Sequence, residues 1–209
     1  LDGQTSLQNG QSQWITSEPA RSDGHAWRAR ACAMLTGIGT VLEDNPRLDV
    51  RGHATPRQPH LVIVDSRLET PLNARLFETL GTGDQARQIW IYTAVEGAAD
   101  KRAALQAQGA TVIDMPGPGG KVDLAAMLRD LALREINELH VEAGHKLNGS
   151  FIREGLVDEY LLYLAPQLLG PGQGMANLPA LTELSGAVQM TFHAVDRIGP
   201  DLRLLLRRK

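Results

Sequence analysis

Short apolar runs at regular intervals constrain this chain more than anything else in it. Residues 33–36 (Ala-Met-Leu-Thr), 61–65 (Leu-Val-Ile-Val-Asp), 89–93 (Ile-Trp-Ile-Tyr-Thr) and 139–142 (Leu-His-Val-Glu) read as strands, as do 160–166, 188–195 and 202–206. The early runs are almost wholly apolar, the pattern of strands covered on both faces. Helical patterns fill the gaps. Residues 17–31 start with Ser17 as a cap and Pro19 early, and set Ala20, Trp27 and Ala31 on one side. Residues 123–134 place Leu124, Met127, Leu128 and Leu131 at three- and four-residue steps, while 100–108 form a weaker helix stopped by Gly109. Strand alternating with helix predicts an α/β fold with a mainly parallel, doubly wound sheet. The tight turn Ile198-Gly-Pro-Asp-Leu predicts that the last two strands pair antiparallel, as a hairpin at one edge. Gly- and Pro-rich loops at 81–84, 116–120 and 169–174 are too short for linkers, so residues 1–209 are expected to form a single domain.

Composition narrows the partners. A net charge of -3 gives no general reason to expect nucleic acid, so local basic residues must act on a small anion. No apolar run approaches the roughly 20 residues that a bilayer requires. One cysteine, Cys32, excludes an internal disulfide and suits a reducing, cytoplasmic setting; in its apolar surroundings it reads as a spectator thiol. No spacing among the six histidines resembles a metal site. The start at Leu1-Asp-Gly, without initiator Met or signal peptide, reads as a segment of a longer protein.

In an open parallel sheet, ligands bind beyond the carboxyl ends of the strands. After the first strand come Gly39, Thr40, Asp44, Leu48 and Arg51, and after the second Asp65-Ser66-Arg67. After 139–142 comes a glycine turn, Gly144-His145-Lys146-Leu147-Asn148-Gly149-Ser150, which opens an amphipathic helix with Phe151, Ile152 and Leu156 on its buried side. Bare amides at a helix N-terminus suit an anion, Gly144 and Gly149 would admit a close approach, and Lys146 adds charge. The expectation is a cradle for a cofactor pyrophosphate, although such turns also occur without a ligand. Arg28 and Arg51 match phosphate geometry, or are ordinary solvated arginines. Asp44, beside Asn45-Pro46, is a turn or cap residue, or else serves proton transfer or a bond to a sugar hydroxyl. Glu142 ends an apolar strand, where an unpaired carboxylate is costly, so a ligand contact is expected. Ser66-Arg67, without a carboxylate for a ribose 2′-hydroxyl, favours a phosphorylated dinucleotide. Trp14 lines a flat ring or packs in the core. Residues 169–174 (Leu-Gly-Pro-Gly-Gln-Gly) lack the Lys-Ser/Thr ending of a phosphate loop and read as a surface loop.

Several motifs combine specifically: Leu1-Asp-Gly, Gly10-Gln-Ser-Gln-Trp-Ile-Thr-Ser17, Gly39-Thr-Val-Leu-Glu-Asp-Asn-Pro46, Val64-Asp-Ser66, Val141-Glu-Ala-Gly144, Leu156-Val-Asp-Glu-Tyr160 and Ala165-Pro-Gln-Leu-Leu-Gly170. With them the chain resembles the C-terminal reductase domain of the bifunctional riboflavin-biosynthesis deaminase/reductase. The resemblance implies a dihydrofolate-reductase-like fold and NADPH-dependent reduction of the ribosyl side chain of 5-amino-6-(5-phosphoribosylamino)uracil. It implies a cofactor site at Trp14, Thr40, Asp44, Ser66 and 144–150, and a substrate site at Ser12, Arg28, Leu48, Arg51 and Glu142. Asp44 and Glu142 are then the catalytic candidates. It also implies a homodimer, an N-terminal deaminase domain in the full-length protein, and a further Lys-bearing strand before Leu1. His145 and Lys146 depart from the small or hydroxyl residues usual in that turn. A pterin reductase on the same fold, or a non-catalytic nucleotide-binding module, are the alternatives.

Overall fold

The computed structural model describes residues 1–81 and 86–209, so most of the expected loop at 81–84 lies outside the described residues. In chain order the elements begin β1 (Gln4–Leu7), α1 (Glu18–Arg30), β2 (Ala33–Gly37), α2 (Ile38–Asp44), β3 (His60–Val64), β4 (Ile89–Thr93) and α3 (Ala99–Ala107). They continue β5 (Ala110–Asp114), α4 (Leu124–Leu133), β6 (Leu139–Val141), α5 (His145–Arg153), β7 (Glu159–Leu164), β8 (Gly172–Gly174), β9 (Met190–Ile198) and β10 (Asp201–Arg208). The chain forms two compact units, His25–Gly144, and Leu1–Gly24 together with His145–Lys209.

In the unit His25–Gly144 five strands pair in the order β5-β4-β3-β2-β6, all parallel. The chain winds outward from β2 to β5, then returns to lay β6 on the other side of β2. That reversal makes the carboxyl ends of β2 and β6 the switch point where such sheets open a crevice. Both faces of the sheet are covered, which is why its strands carry no polar alternation. Met34, Leu61, Ile63, Ile89 and Ile91 pack with Val41 of α2 and Leu105 of α3 in one cluster. The intervening Trp90 and Tyr92 meet α4: the Tyr92 hydroxyl donates to Asp130 at 2.6 Å, and the Arg134 guanidinium lies 5.7 Å from the Trp90 ring. Asp123 caps α4 by accepting from the Ala126 N–H at 2.8 Å. The doubly wound expectation therefore holds in this unit. In this unit two elements escaped the sequence reading. β5 is an edge strand with only Ala110 buried, and α2 is a seven-residue helix containing Gly39 with only Val41 buried.

In the other unit β7, β10 and β9 form an antiparallel three-stranded sheet with β10 in the middle. The predicted C-terminal hairpin is present, turned at Gly199 (φ +60°) and Pro200, and its direct hydrogen-bonded neighbour is β7 rather than the parallel ladder. Asp201 and Asp23 organise the surroundings: Asp201 accepts from the Ser17 N–H and hydroxyl, both at 2.7 Å, and Asp23 accepts from Tyr163 and Arg203. Ser17 thus spends its hydroxyl on Asp201. β1 and β8 make a separate antiparallel pair. Among the described residues no helix is long and apolar enough to cross a membrane.

Candidate active site

At the switch point the ends of β2 and β6 bring Thr40 and Gly144 together: a side chain on Gly144 would begin 3.9 Å from the Thr40 hydroxyl. The ladder extends one residue past β6, because the Glu142 N–H donates to the Leu35 carbonyl at 2.9 Å. Glu142 is consequently fixed in backbone as well as side chain. Arg28, from the last turn of α1, grips its carboxylate with Nε (2.6 Å) and Nη2 (2.5 Å), and His140 stands 3.3 Å away. Burial pushes the Glu142 carboxyl up, but hydrogen bonds from His140 and Arg28 and the Arg28 charge outweigh it, leaving a pKa of about 2. The third arm of Arg28 donates to the Asp49 carbonyl at 3.1 Å. The sequence reading offered these two residues to a ligand separately, whereas the fold spends much of each on the other.

Asp49 centres a second group. Arg47 Nε lies 3.2 Å from one carboxylate oxygen and Arg51 Nε 3.3 Å from the other. The Arg51 side chain is 64% exposed and its contact to Asp49 lacks hydrogen-bond geometry, so its guanidinium is available to an anion. Leu48 is buried, with a left-handed backbone (φ +50°). Asp44, the last residue of α2, is exposed, and no polar partner occurs for it among the described residues.

At the end of β3, Asp65 is fully buried and accepts from the Glu69 N–H, the Thr70 N–H and the Thr70 hydroxyl, which folds the chain back beyond Arg67. The Ser66 hydroxyl accepts from the Val122 N–H at 3.2 Å, leaving its own proton to donate. Arg67 is exposed, 3.6 Å from Glu69.

Ser12, Trp14 and His145–Ser150 belong to the other unit. Ser12 and Trp14 are exposed, and the Arg21 guanidinium stacks on the Trp14 ring at 4.3 Å, beside a cavity of about 400 Å³ that includes Gln167 and Asp201. α5 starts at His145 rather than after Gly149, so the helix N-terminus lies earlier than expected, next to exposed Lys146. Asn148 donates to the Met175 carbonyl, and the Ser150 hydroxyl donates to the Lys146 carbonyl. Gly149 has a different reason from the one expected. A Cβ there would stand 2.2 Å from the Asn177 carbonyl oxygen, so the glycine admits neighbouring main chain. Gly149→Ala should cost roughly 1–3 kcal/mol, as overpacking against backbone does. Urea denaturation reads this directly, and a variant as stable as the parent would remove the close approach.

Residues 169–174, expected as a surface loop, are partly strand. Asp2 accepts from the amides of Leu169 and Gly170, both at 2.8 Å, and Gly172 packs so tightly on β1 that a Cβ would meet the Ser6 carbonyl oxygen at 2.2 Å. With His145 and Asn177 this pair lines a cavity of about 480 Å³. No local pattern marked it, because the acid–amide clamp joins residues far apart in sequence.

The unit His25–Gly144 is thus an α/β domain whose parallel sheet carries the Arg28–Glu142 ion pair, and Thr40 beside Gly144, at its switch point. The comparisons make the class specific: the chain belongs to the RibD C-terminal domain family, whose model matches residues 1–204. It is 33% identical over 213 residues to the riboflavin biosynthesis protein RibD of Escherichia coli, covering 99% of this chain and 57% of that protein. It is 29% identical over 216 residues to the 5-amino-6-(5-phosphoribosylamino)uracil reductase of Buchnera aphidicola, covering 97% of this chain and 99% of that one. The RibD structure from Acinetobacter baumannii superposes with a TM-score of 0.84 at 29% identity, covering 100% of this chain and 55% of that chain. The chain thus spans about half the length of most curated relatives it matches.

Proposed function

We propose that this chain catalyses NADPH-dependent reduction of the ribosyl side chain of 5-amino-6-(5-phosphoribosylamino)uracil to the ribitylamino product. Exposed Arg51, next to the Arg28–Glu142 pair at the switch point, carries the reading: the arrangement suits a phosphate monoester, and a pterin has none. The Buchnera relative, matched along nearly its whole length, bears the name of this activity.

Two features fit a phosphorylated dinucleotide at the same sheet. Thr36 on β2 has a fully buried hydroxyl without a partner among the described residues, and Ser66 has a donor to spare. In the unit His25–Gly144 the residues that would hold the cofactor are Thr40, Asp44, Ser66 and Gly144; the family resemblance adds Trp14 and residues 145–150, which belong to the other unit. NADPH, when bound, supplies the hydride. The chain's own task is alignment and charge. Arg51 anchors the 5′-phosphate. Glu142 stays ionised, holds Arg28 in place and orients the sugar. Asp44 assists the proton that reaches the ring oxygen as it leaves the anomeric carbon. Leu48 adds a substrate contact in the same unit, and the family resemblance adds Ser12 from the other. A homodimer, a preceding deaminase domain and a cytoplasmic setting belong to the same proposal through the family resemblance.

Following NADPH absorbance with the phosphoribosylamino-uracil, with a dihydropterin and with no substrate tests this reading. Oxidation is expected in the first arm alone. Oxidation with the dihydropterin instead would favour a dihydrofolate-type reductase, and cofactor binding without oxidation in any arm would favour a non-catalytic module.

A further inference from the structure

Residues 45–51 have no helix or strand, yet their main chain is held at four consecutive positions by side chains from elsewhere. Arg87 Nη2 donates to the Leu48 carbonyl (3.0 Å) and Arg28 Nη1 to the Asp49 carbonyl (3.1 Å). Gln58 takes Val50 on both sides, accepting its N–H at 2.8 Å and donating to its carbonyl at 3.2 Å. The Arg51 N–H donates to His25 Nδ1 at 3.2 Å. Loops ordinarily leave such groups to water.

Arg87 is an unusual device for a loop. It is only 2% exposed, and its other arms donate to the Pro59 carbonyl (2.7 Å) and the Thr79 hydroxyl (3.0 Å). Burial lowers its pKa to about 10, which still leaves it charged at neutral pH. An ion with that burial is retained at a cost, and here it holds a leucine in the left-handed region, where leucine is rare.

We propose that Gln58 and Arg87 are positioning residues for the substrate's sugar phosphate: without touching it, they hold the Leu48–Arg51 main chain so that Arg51 meets a phosphate monoester in a fixed place. The inference rests on Arg51 being the phosphate anchor. A preformed loop spares the ligand the cost of ordering it, so the effect belongs in affinity rather than in the chemical step.

A double-mutant cycle tests it with the full 209-residue chain, reading KM for the phosphorylated substrate, kcat, and inhibition by ribose 5-phosphate. Gln58→Ala should raise KM and the inhibition constant about tenfold with kcat within about twofold, and add nothing further in an Arg51→Ala background. Gln58→Glu keeps the acceptor for the Val50 N–H and loses the donor, so it should raise KM less, and it completes the cycle if the alanine variant does not fold. Arg87→Lys, which keeps a cation but not the three-armed grip, should behave like Gln58→Ala. An unchanged KM in the Gln58 variants, or factors that multiply in the double variant, overturns the positioning role while leaving Arg51 as anchor. An unchanged KM in Arg51→Ala itself overturns the anchor and the positioning role together.

Discussion

Replacing Glu142 with alanine should destabilise the protein by about 2–3 kcal/mol at neutral pH, somewhat below the usual cost of breaking a fully buried pair. The side chains of Arg28 and Glu142 are 17% and 32% exposed, so water recovers part of the loss. What remains is a guanidinium stripped of two hydrogen bonds in partly buried surroundings. The dependence on pH is the sharper signature. The folded Glu142 carboxyl titrates at about 2, below its ordinary value of 4.5, so its stabilisation is complete above about 4.5 and drains away as the pH falls toward 2. The alanine variant should lose that part of the acid dependence. Urea denaturation at pH 7, 4.5 and 3 measures both effects, and equal stabilities of variant and parent at pH 7 would show that the pair contributes nothing.

Asp44→Asn should lower kcat by about a hundredfold or more while leaving the KM for NADPH within about twofold, the range typical of a lost general acid or base. Stability offers no rival explanation for a carboxylate in this place. Asp44 is exposed at the carboxyl end of α2, where the helix dipole opposes a negative charge, and the helix is already stopped by Asn45 with φ +43°. Asparagine keeps the shape and removes the charge, so folding should be unaffected or slightly improved. Single-turnover rates alongside steady-state kinetics separate chemistry from binding. Parent-like turnover in the variant would take Asp44 out of the mechanism.

The parts of the fold that could be read in advance were those whose burial is written in local spacing. β2, β3 and β4 are almost wholly apolar because helices cover both of their faces, and α4 shows its buried side at helical steps. β1, β8 and β5 were missed because they bury little: their identity comes from partners distant in sequence, as Gly172 on Ser6 shows. The site follows the same rule. Arg28, Arg51 and Glu142 were legible as charged residues in suggestive places, but not the Arg28–Glu142 pairing across 114 positions. Gln58, Arg87 and His25 were passed over because they act on main-chain atoms, which no side-chain motif records. Gly149 was misread in purpose for the same reason, since the Asn177 main chain that fills its space comes from a later segment.

The order β5-β4-β3-β2-β6 also bears on how the molecule is made. Ala33 must wait for Leu139 before its second flank is matched, so during synthesis the β2 ladder stays open to any passing strand until nearly the whole parallel sheet has emerged. Because β6 is only three residues long, the seal that ends this vulnerable interval is narrow, and truncation just before Leu139 would leave a nascent chain prone to stick to its neighbours.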